Sequence, residues 1–334
     1  MIVSPAVIAL MLGSAAVGLL ALYASSWGVR ILRYWDLRSG SEFQLQLEKR
    51  TYLVSTLMAW AFAFQVGSLF LFIFTAEDLH RLFVGAMCAA GTLNVNEFGY
   101  PTILLKVGNA LLGGIWLIVN YTDNRASDYP LIGKKYAFLL VITPLLLAEA
   151  VLQGAYFAGL KANVITSCCG SLFGAEAQGP VSSLVGLPMG PMRAALIASL
   201  AITFVSGLVF RSGRVRAGGL FSVSSLAAFF ISIAALVSYI SPYIYELPTH
   251  HCPFCILQRE YSYIGYFFYA SLLGGAIPGA AVGVLLPFRG IGSLQGVLPP
   301  ILRRLTFASL FLYFLFSLLV VFSIFFSALI VEMD

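Results

Sequence analysis

Residues 305–330 read LTFASLFLYFLFSLLVVFSIFFSALI, twenty-six positions without a charge, directly preceded by Arg303 and Arg304. A helix rises 1.5 Å per residue, so roughly 20 apolar residues cross the ~30 Å hydrocarbon core of a bilayer. In hydrocarbon every backbone N–H and C=O must find a partner within the protein, and a run this long meets that demand as a helix. Seven further runs of the same kind lie upstream, near 5–26, 52–75, 101–121, 137–160, 192–210, 219–241 and 262–286. Strands of a membrane barrel take only ~10 residues each, too short for these segments. The composition agrees, with 60% hydrophobic and 10% charged residues and a mean hydropathy of +0.93. Soluble domains carry ~25% charged residues. The reading is an all-α, polytopic membrane helical bundle of about eight transmembrane helices, embedded in the lipid bilayer. The net charge of +5 comes with no run of five basic residues and no nucleic-acid-binding motif, so no nucleic-acid partner is expected.

Charge in the connecting segments sets the expected orientation. The segments 28–50, 122–135, 211–218 and 287–304 hold 14 of the 19 Lys and Arg. By the positive-inside rule they face the cytoplasm, which puts both termini on the periplasmic side. The first span has no basic residue before it and two shortly after, the reverse of a secretory signal, so it is expected to be retained. The stretch 27–50 interleaves Trp35, Leu37, Phe43, Leu45 and Leu47 with charges and reads as an amphipathic segment along the headgroups.

All five cysteines fall on the other face. Cys88 follows span two, Cys168 and Cys169 follow span four, and Cys252 and Cys255 follow span six. The outer side of a bacterial inner membrane is where disulfides form and persist. Static bridges are one reading of the set. An odd count with a Cys-Cys and a Cys-x-x-Cys fits it poorly, because a vicinal bridge is strained and strained bridges are the labile ones.

The most specific segment is His250-His251-Cys252-Pro253-Phe254-Cys255-Ile256-Leu257-Gln258-Arg259. Opening span seven, its Cys-x-x-Cys would meet the positive end of a helix dipole, which lowers a thiol pKa. Arg259 would lie one turn beyond Cys255 on the same helix face and hold an anionic group or a quinone carbonyl beside the sulfur.

Cys252-Pro253-Phe254-Cys255-Ile256-Leu257-Gln258-Arg259 resembles the Cys-x-Leu-Cys-x-x-Gln-Arg signature of the disulfide bond formation protein DsbB, with Phe254 in place of Leu. The cysteine order over 137–286 is similar to that of the vitamin K epoxide reductases: helix, loop with Cys168 and Cys169, two helices, Cys252-x-x-Cys255, helix. The resemblance implies a four-helix redox bundle over 137–286. It would follow a three-helix membrane segment at 1–136 and precede a cytoplasmic loop and last helix at 287–334. It further implies a membrane thiol–disulfide oxidoreductase of the bacterial inner membrane, passing electrons between a periplasmic thioredoxin-like dithiol partner and a membrane quinone. Cys255 would face the quinone with Gln258 and Arg259, and Cys252 would exchange with a shuttle pair. Two departures stand out: Cys168 and Cys169 are adjacent where the family's shuttle cysteines are separated, and Cys88 has no counterpart; the expected electron path runs through Cys88, Cys168 or Cys169 to Cys252 and Cys255.

Other readings use the same residues. His250 and His251 with Cys252 and Cys255, joined by Cys168, Cys169 and Cys88 or His80, suit copper(I) or zinc, and the thiols could instead be structural in a subunit of a larger membrane complex. Glu149, mid-span, would either move protons from quinol chemistry or pack as a hydrogen-bonded group inside the bundle. Lys106 is expected to snorkel to the outer surface. His80 is expected on an interfacial helix over 76–89, the stretch 91–101 as an ordered loop, and 174–191 as a flexible cap over the site.

Overall fold

The computed structural model of the chain describes residues 4–36, 39–161, 164–166 and 188–329. Among these residues there is no strand, and eight helices are long and apolar enough to cross a membrane. They are α1 (Pro5–Tyr34), α2 (Glu42–Leu79), α4 (Gly99–Asp123), α5 (Ile132–Ala158), α6 (Met189–Arg211), α7 (Ala217–Tyr245), α8 (Ile264–Leu285) and α9 (Leu298–Phe325), with a five-residue α3 (Ala89–Leu93) between α2 and α4.

The expected surface stretch 27–50 takes a different form. Its first part is the end of α1 and its last part the start of α2. Gly40 lies just outside α2, and Ser41 accepts the Gln44 N–H at 3.2 Å in an N-cap geometry that starts the helix at Glu42. The expected interfacial helix over 76–89 is also absent. Residues 76–79 finish α2, His80–Leu82 form one 3-10 turn, and the chain is irregular up to α3.

The chain divides into two compact units. The first comprises Met1–Ile73, Asn96–Leu160 and Pro287–Ile301. Here α5, the helix expected to open the bundle over 137–286, packs on α1 and α4. Phe62, Trp116, Tyr136 and Leu139 form part of its buried core. Lipid removes the hydrophobic incentive for helices to associate, so close packing and buried polar bonds hold them. Two ion pairs join α4 to α5. Lys106 Nζ lies 2.7 Å from Glu149 Oε1 and Lys135 Nζ 2.8 Å from Asp123 Oδ2. From the first pair to the second, α4 advances seventeen residues and α5 runs back fourteen, which fits an antiparallel hairpin clamped ~25 Å apart along its axis. Lys106 is therefore buried, 1% exposed, and does not snorkel. The partner that keeps it inside is a carboxylate 43 residues away in sequence, out of reach of any local pattern. The 91–101 stretch is ordered as expected: Asn96 accepts the Phe98 N–H at 3.1 Å and donates to the Tyr156 carbonyl at 3.0 Å.

The second unit comprises Phe74–Val95, Lys161–Leu286 and Leu302–Asp334. Its helices approach along small residues. A side chain at Gly279 of α8 would strike the hydroxyls of Ser225 on α7 and Ser309 on α9, one at Gly283 would strike Ser222, and one at Gly275 would sit 3.0 Å from the Tyr313 ring. Close approach lets side chains bond across helices. Tyr313 donates to the Ser225 carbonyl at 2.6 Å and Ser309 to the Gly275 carbonyl at 2.7 Å.

Candidate functional site: three converging thiols

The thiols that sequence places far apart meet in the second unit. Cys88, Cys252 and Cys255 have their sulfurs within 4.8 Å of one another. Cys88 Sγ is 3.5 Å from Cys252 Sγ, close to van der Waals contact. Cys88 and Cys252 are fully buried and Cys255 is 5% exposed.

Cys88 sits just before α3, in a segment carried by the end of α2. Glu77, in the last turn of α2, accepts the Ala89 N–H at 2.7 Å through Oε2 and the Gln258 side-chain amide at 2.6 Å through Oε1. Gln258 spends its second amide proton on the Met87 carbonyl at 2.8 Å. One carboxylate and one carboxamide thus tie the Cys88 segment to the Cys-x-x-Cys segment. His80 joins from the next turn, with Nδ1 3.2 Å from Glu77 Oε1 and donating to the Glu77 carbonyl oxygen. On the other flank, Thr166 donates its hydroxyl to the Gly91 carbonyl at 2.8 Å and its N–H to the Val84 carbonyl at 3.0 Å. Gly85, at φ +88, allows this docking, because a Cβ there would meet the Thr166 carbonyl. Cys168 and Cys169, and all but the last residues of the expected cap over 174–191, lie outside the described residues.

The Cys252 side is fixed from α7 and α8. Tyr245 donates to the Cys252 carbonyl at 2.5 Å and Tyr269 to the Pro253 carbonyl at 2.6 Å. Near its end α7 widens into a π-turn over Leu236–Ile240. In an i→i+5 pattern the carbonyl of Val237 would bond to residue 242, and that residue is Pro242, which has no N–H. His251 fills the gap, donating Nδ1–H to Val237 O at 3.0 Å. His250 packs edge-on against the Tyr245 ring, with centroids 4.3 Å apart, and its buried Nε2 has no hydrogen-bond partner among the described residues. Burial pulls the His250 pKa below its ordinary value, although Cys88 pushes the other way. The imidazole is therefore neutral near pH 7. Burial, then the neighbouring Cys255, raises the Tyr261 phenol above its usual range. Among the described residues the group within 4.8 Å of one another is Cys88, Cys252 and Cys255, with neither His250 nor His251 in it.

The Cys-x-x-Cys does not open a long helix. Cys255–Leu257 is one 3-10 turn, Gln258 is extended at ψ 160, Arg259–Tyr261 is a second 3-10 turn, and α8 begins only at Ile264. Ser262 and Tyr263, both with φ near +55, separate that turn from α8. The extended Gln258 breaks the helical repeat between Cys255 and Arg259, so Arg259 is not one α-helical turn beyond Cys255, and the two left-handed residues keep the segment apart from α8. Arg259 instead lines a cavity of about 580 Å³ with Glu77, Arg81, Met87, Gln258 and Tyr266. Glu149 belongs to the first unit. Its carboxylate accepts from Lys106 and from Asn109, each at 2.7 Å, and from Gln65.

Backbone contact of α8 with the thiol segment is close at one point. A Cβ at Gly265 would lie 2.7 Å from Ile256 Cγ1 and 2.9 Å from the Ile256 carbonyl oxygen. Gly265→Ala should therefore push the 255–257 turn away and cost about 1–3 kcal/mol, the usual range for overpacking. Faster alkylation of Cys255 and a lower unfolding temperature in detergent are the expected readouts, and unchanged alkylation would contradict this packing.

Glu77, Tyr245 and Tyr269 carry no sequence signal of this role. Glu77 in particular reads as one of two ordinary acids, with Asp78, closing an apolar run. No family model, curated protein or solved structure matches the chain.

Proposed function

We propose that the chain is a membrane thiol–disulfide oxidoreductase that passes electrons from a periplasmic dithiol protein to a membrane quinone. The observation that carries this reading is the contact of Cys88 with Cys252, beside Cys255, in one buried cluster. Exchange proceeds by attack of a thiolate on a disulfide sulfur, and three sulfurs at this spacing permit it within the chain.

The cycle begins with Cys252 and Cys255 joined. The Cys88 thiolate attacks Cys252 Sγ, forming a Cys88–Cys252 bond and releasing Cys255 as thiolate. A partner thiolate then attacks Cys88, releasing Cys252. The partner's second thiolate attacks the partner sulfur in that mixed disulfide, which frees Cys88 and leaves the partner oxidised. Cys252 and Cys255 give two electrons and two protons to the quinone, which leaves as quinol, and their bond re-forms. We assign the quinone headgroup to the cavity lined by Gln258 and Arg259, three and four residues beyond Cys255. The surrounding tyrosines act by fixing the carbonyls of Cys252 and Pro253 so that the sulfurs keep their spacing. This reading follows the motif resemblance, and it sets the thiol face at the periplasmic side of a bacterial inner membrane.

The purified full-length chain, mixed with a reduced dithiol and a short-chain quinone analogue, should reduce the quinone. Cys255→Ser should lower that rate to the protein-free background. Unchanged quinone reduction in Cys255→Ser would overturn the reading.

A further inference from the structure

We propose that the reduced cluster of Cys88, Cys252 and Cys255 is a three-sulfur binding site for cuprous ion. A trigonal centre with metal–sulfur bonds of about 2.3 Å sets its sulfurs about 4.0 Å apart. The three sulfurs here all lie within 4.8 Å, with one pair at 3.5 Å, so an ion at their centre requires only small shifts. Thiolates select soft ions. The choice among soft ions follows from coordination number. Zinc in a structural site takes four ligands. Here the sulfurs are buried, so water is a poor fourth ligand. Among the described residues no imidazole nitrogen lies within 4.8 Å of all three sulfurs, and His251 has its Nδ1–H committed to Val237 O. Three-coordination by sulfur alone suits Cu(I).

The backbone around the site is held before any ion arrives. Glu77 fixes Ala89, Tyr245 fixes the Cys252 carbonyl and Tyr269 the Pro253 carbonyl. Such outer contacts orient ligands and sharpen affinity. The ion enters as Cu(I) and no electron moves. Three copper–sulfur bonds form and the thiol protons leave to solvent. The loaded cluster cannot close the Cys252–Cys255 bond, so copper gives the chain an off state. Metal capture needs only the reduced sulfurs and stands whether or not the quinone-linked reading does.

The test titrates the reduced full-length chain in detergent, without oxygen, with Cu(I) against a chromophoric Cu(I) chelator. One ion per chain is expected, with X-ray absorption reporting three sulfur neighbours and no nitrogen. Cys88→Ser should weaken binding by more than the roughly 10–100-fold typical of losing an outer-shell contact. The pair Cys168→Ser and Cys169→Ser should leave it within a few-fold. Two sulfur neighbours in the wild type, Cys88→Ser binding as tightly as the wild type, or loss of binding in the Cys168/Cys169 variant would each overturn the proposal. The absorption measurement uses the unmodified chain and so does not depend on a variant folding. Copper-free quinone reduction is scored separately, which keeps failure of one reading distinct from failure of the other.

Discussion

Lys106→Met should destabilise the chain by about 3–5 kcal/mol, the cost of removing one partner from a buried ion pair. Glu149 is 1% exposed, and its carboxylate is shared among Lys106, Asn109 and Gln65. Without the lysine it keeps two neutral donors and a buried, uncompensated charge. The double change Lys106→Met with Glu149→Gln removes both charges and retains an acceptor for the amides of Asn109 and Gln65. It should recover more than half of the loss. Thermal unfolding in detergent, run on both variants, measures the difference. Wild-type stability in Lys106→Met alone would mean that the pair is solvated and holds nothing. The double variant also separates two roles for Glu149. If the carboxylate only clamps the hairpin, quinone reduction survives its replacement by an amide, whereas a proton carrier would be lost.

The spans were legible because the bilayer imposes one dominant constraint that a one-dimensional count can read. All eight apolar runs are helices, and their ends differ from expectation chiefly where α1 and α2 continue beyond the apolar core. What hydropathy cannot carry is facing. It marks Lys106 as a cation within a span without revealing that Glu149 waits on the neighbouring helix. Placing Arg259 on the face of Cys255 rested on assuming one continuous helix. The extended Gln258 breaks that assumption between the two residues, Ser262 and Tyr263 in the left-handed region break it before α8, and none is a residue type that announces such a conformation. That Cys88, Cys252 and Cys255 fall in loops between spans was legible from their positions. That Cys88, the one without a counterpart in the motif resemblance, touches Cys252 was not, because the contact spans 164 residues of sequence.

Glu77→Ala should slow formation of the Cys88–Cys252 disulfide by about 100-fold, the scale on which ångström misplacement of reacting groups acts. Among the described residues the carboxylate is the only acceptor shown for the N–H of the buried Ala89, and it orients the Gln258 amide toward Met87. Its loss leaves that N–H unsatisfied, at about 1–3 kcal/mol, and removes the shared anchor of the two cysteine segments. A mild oxidant applied to the Cys255→Ser background isolates the Cys88–Cys252 pair, and trapping rates with and without Glu77 give the comparison. Exchange of the two groups sharpens the test. In Glu77→Gln with Gln258→Glu, residue 77 still accepts from Ala89, and its new amide donates to the carboxylate at 258. The bond to the Met87 carbonyl and the approach of His80 Nδ1 to the residue-77 carboxylate are lost. Trapping in the exchanged variant should fall between the wild type and Glu77→Ala. A rate equal to that of Glu77→Ala would mean that the Met87 and His80 contacts, and not the carboxylate–amide pair, position Cys88. An unchanged rate in Glu77→Ala itself would mean that the tyrosines on the Cys252 side and the docking of Thr166 hold the cluster without it.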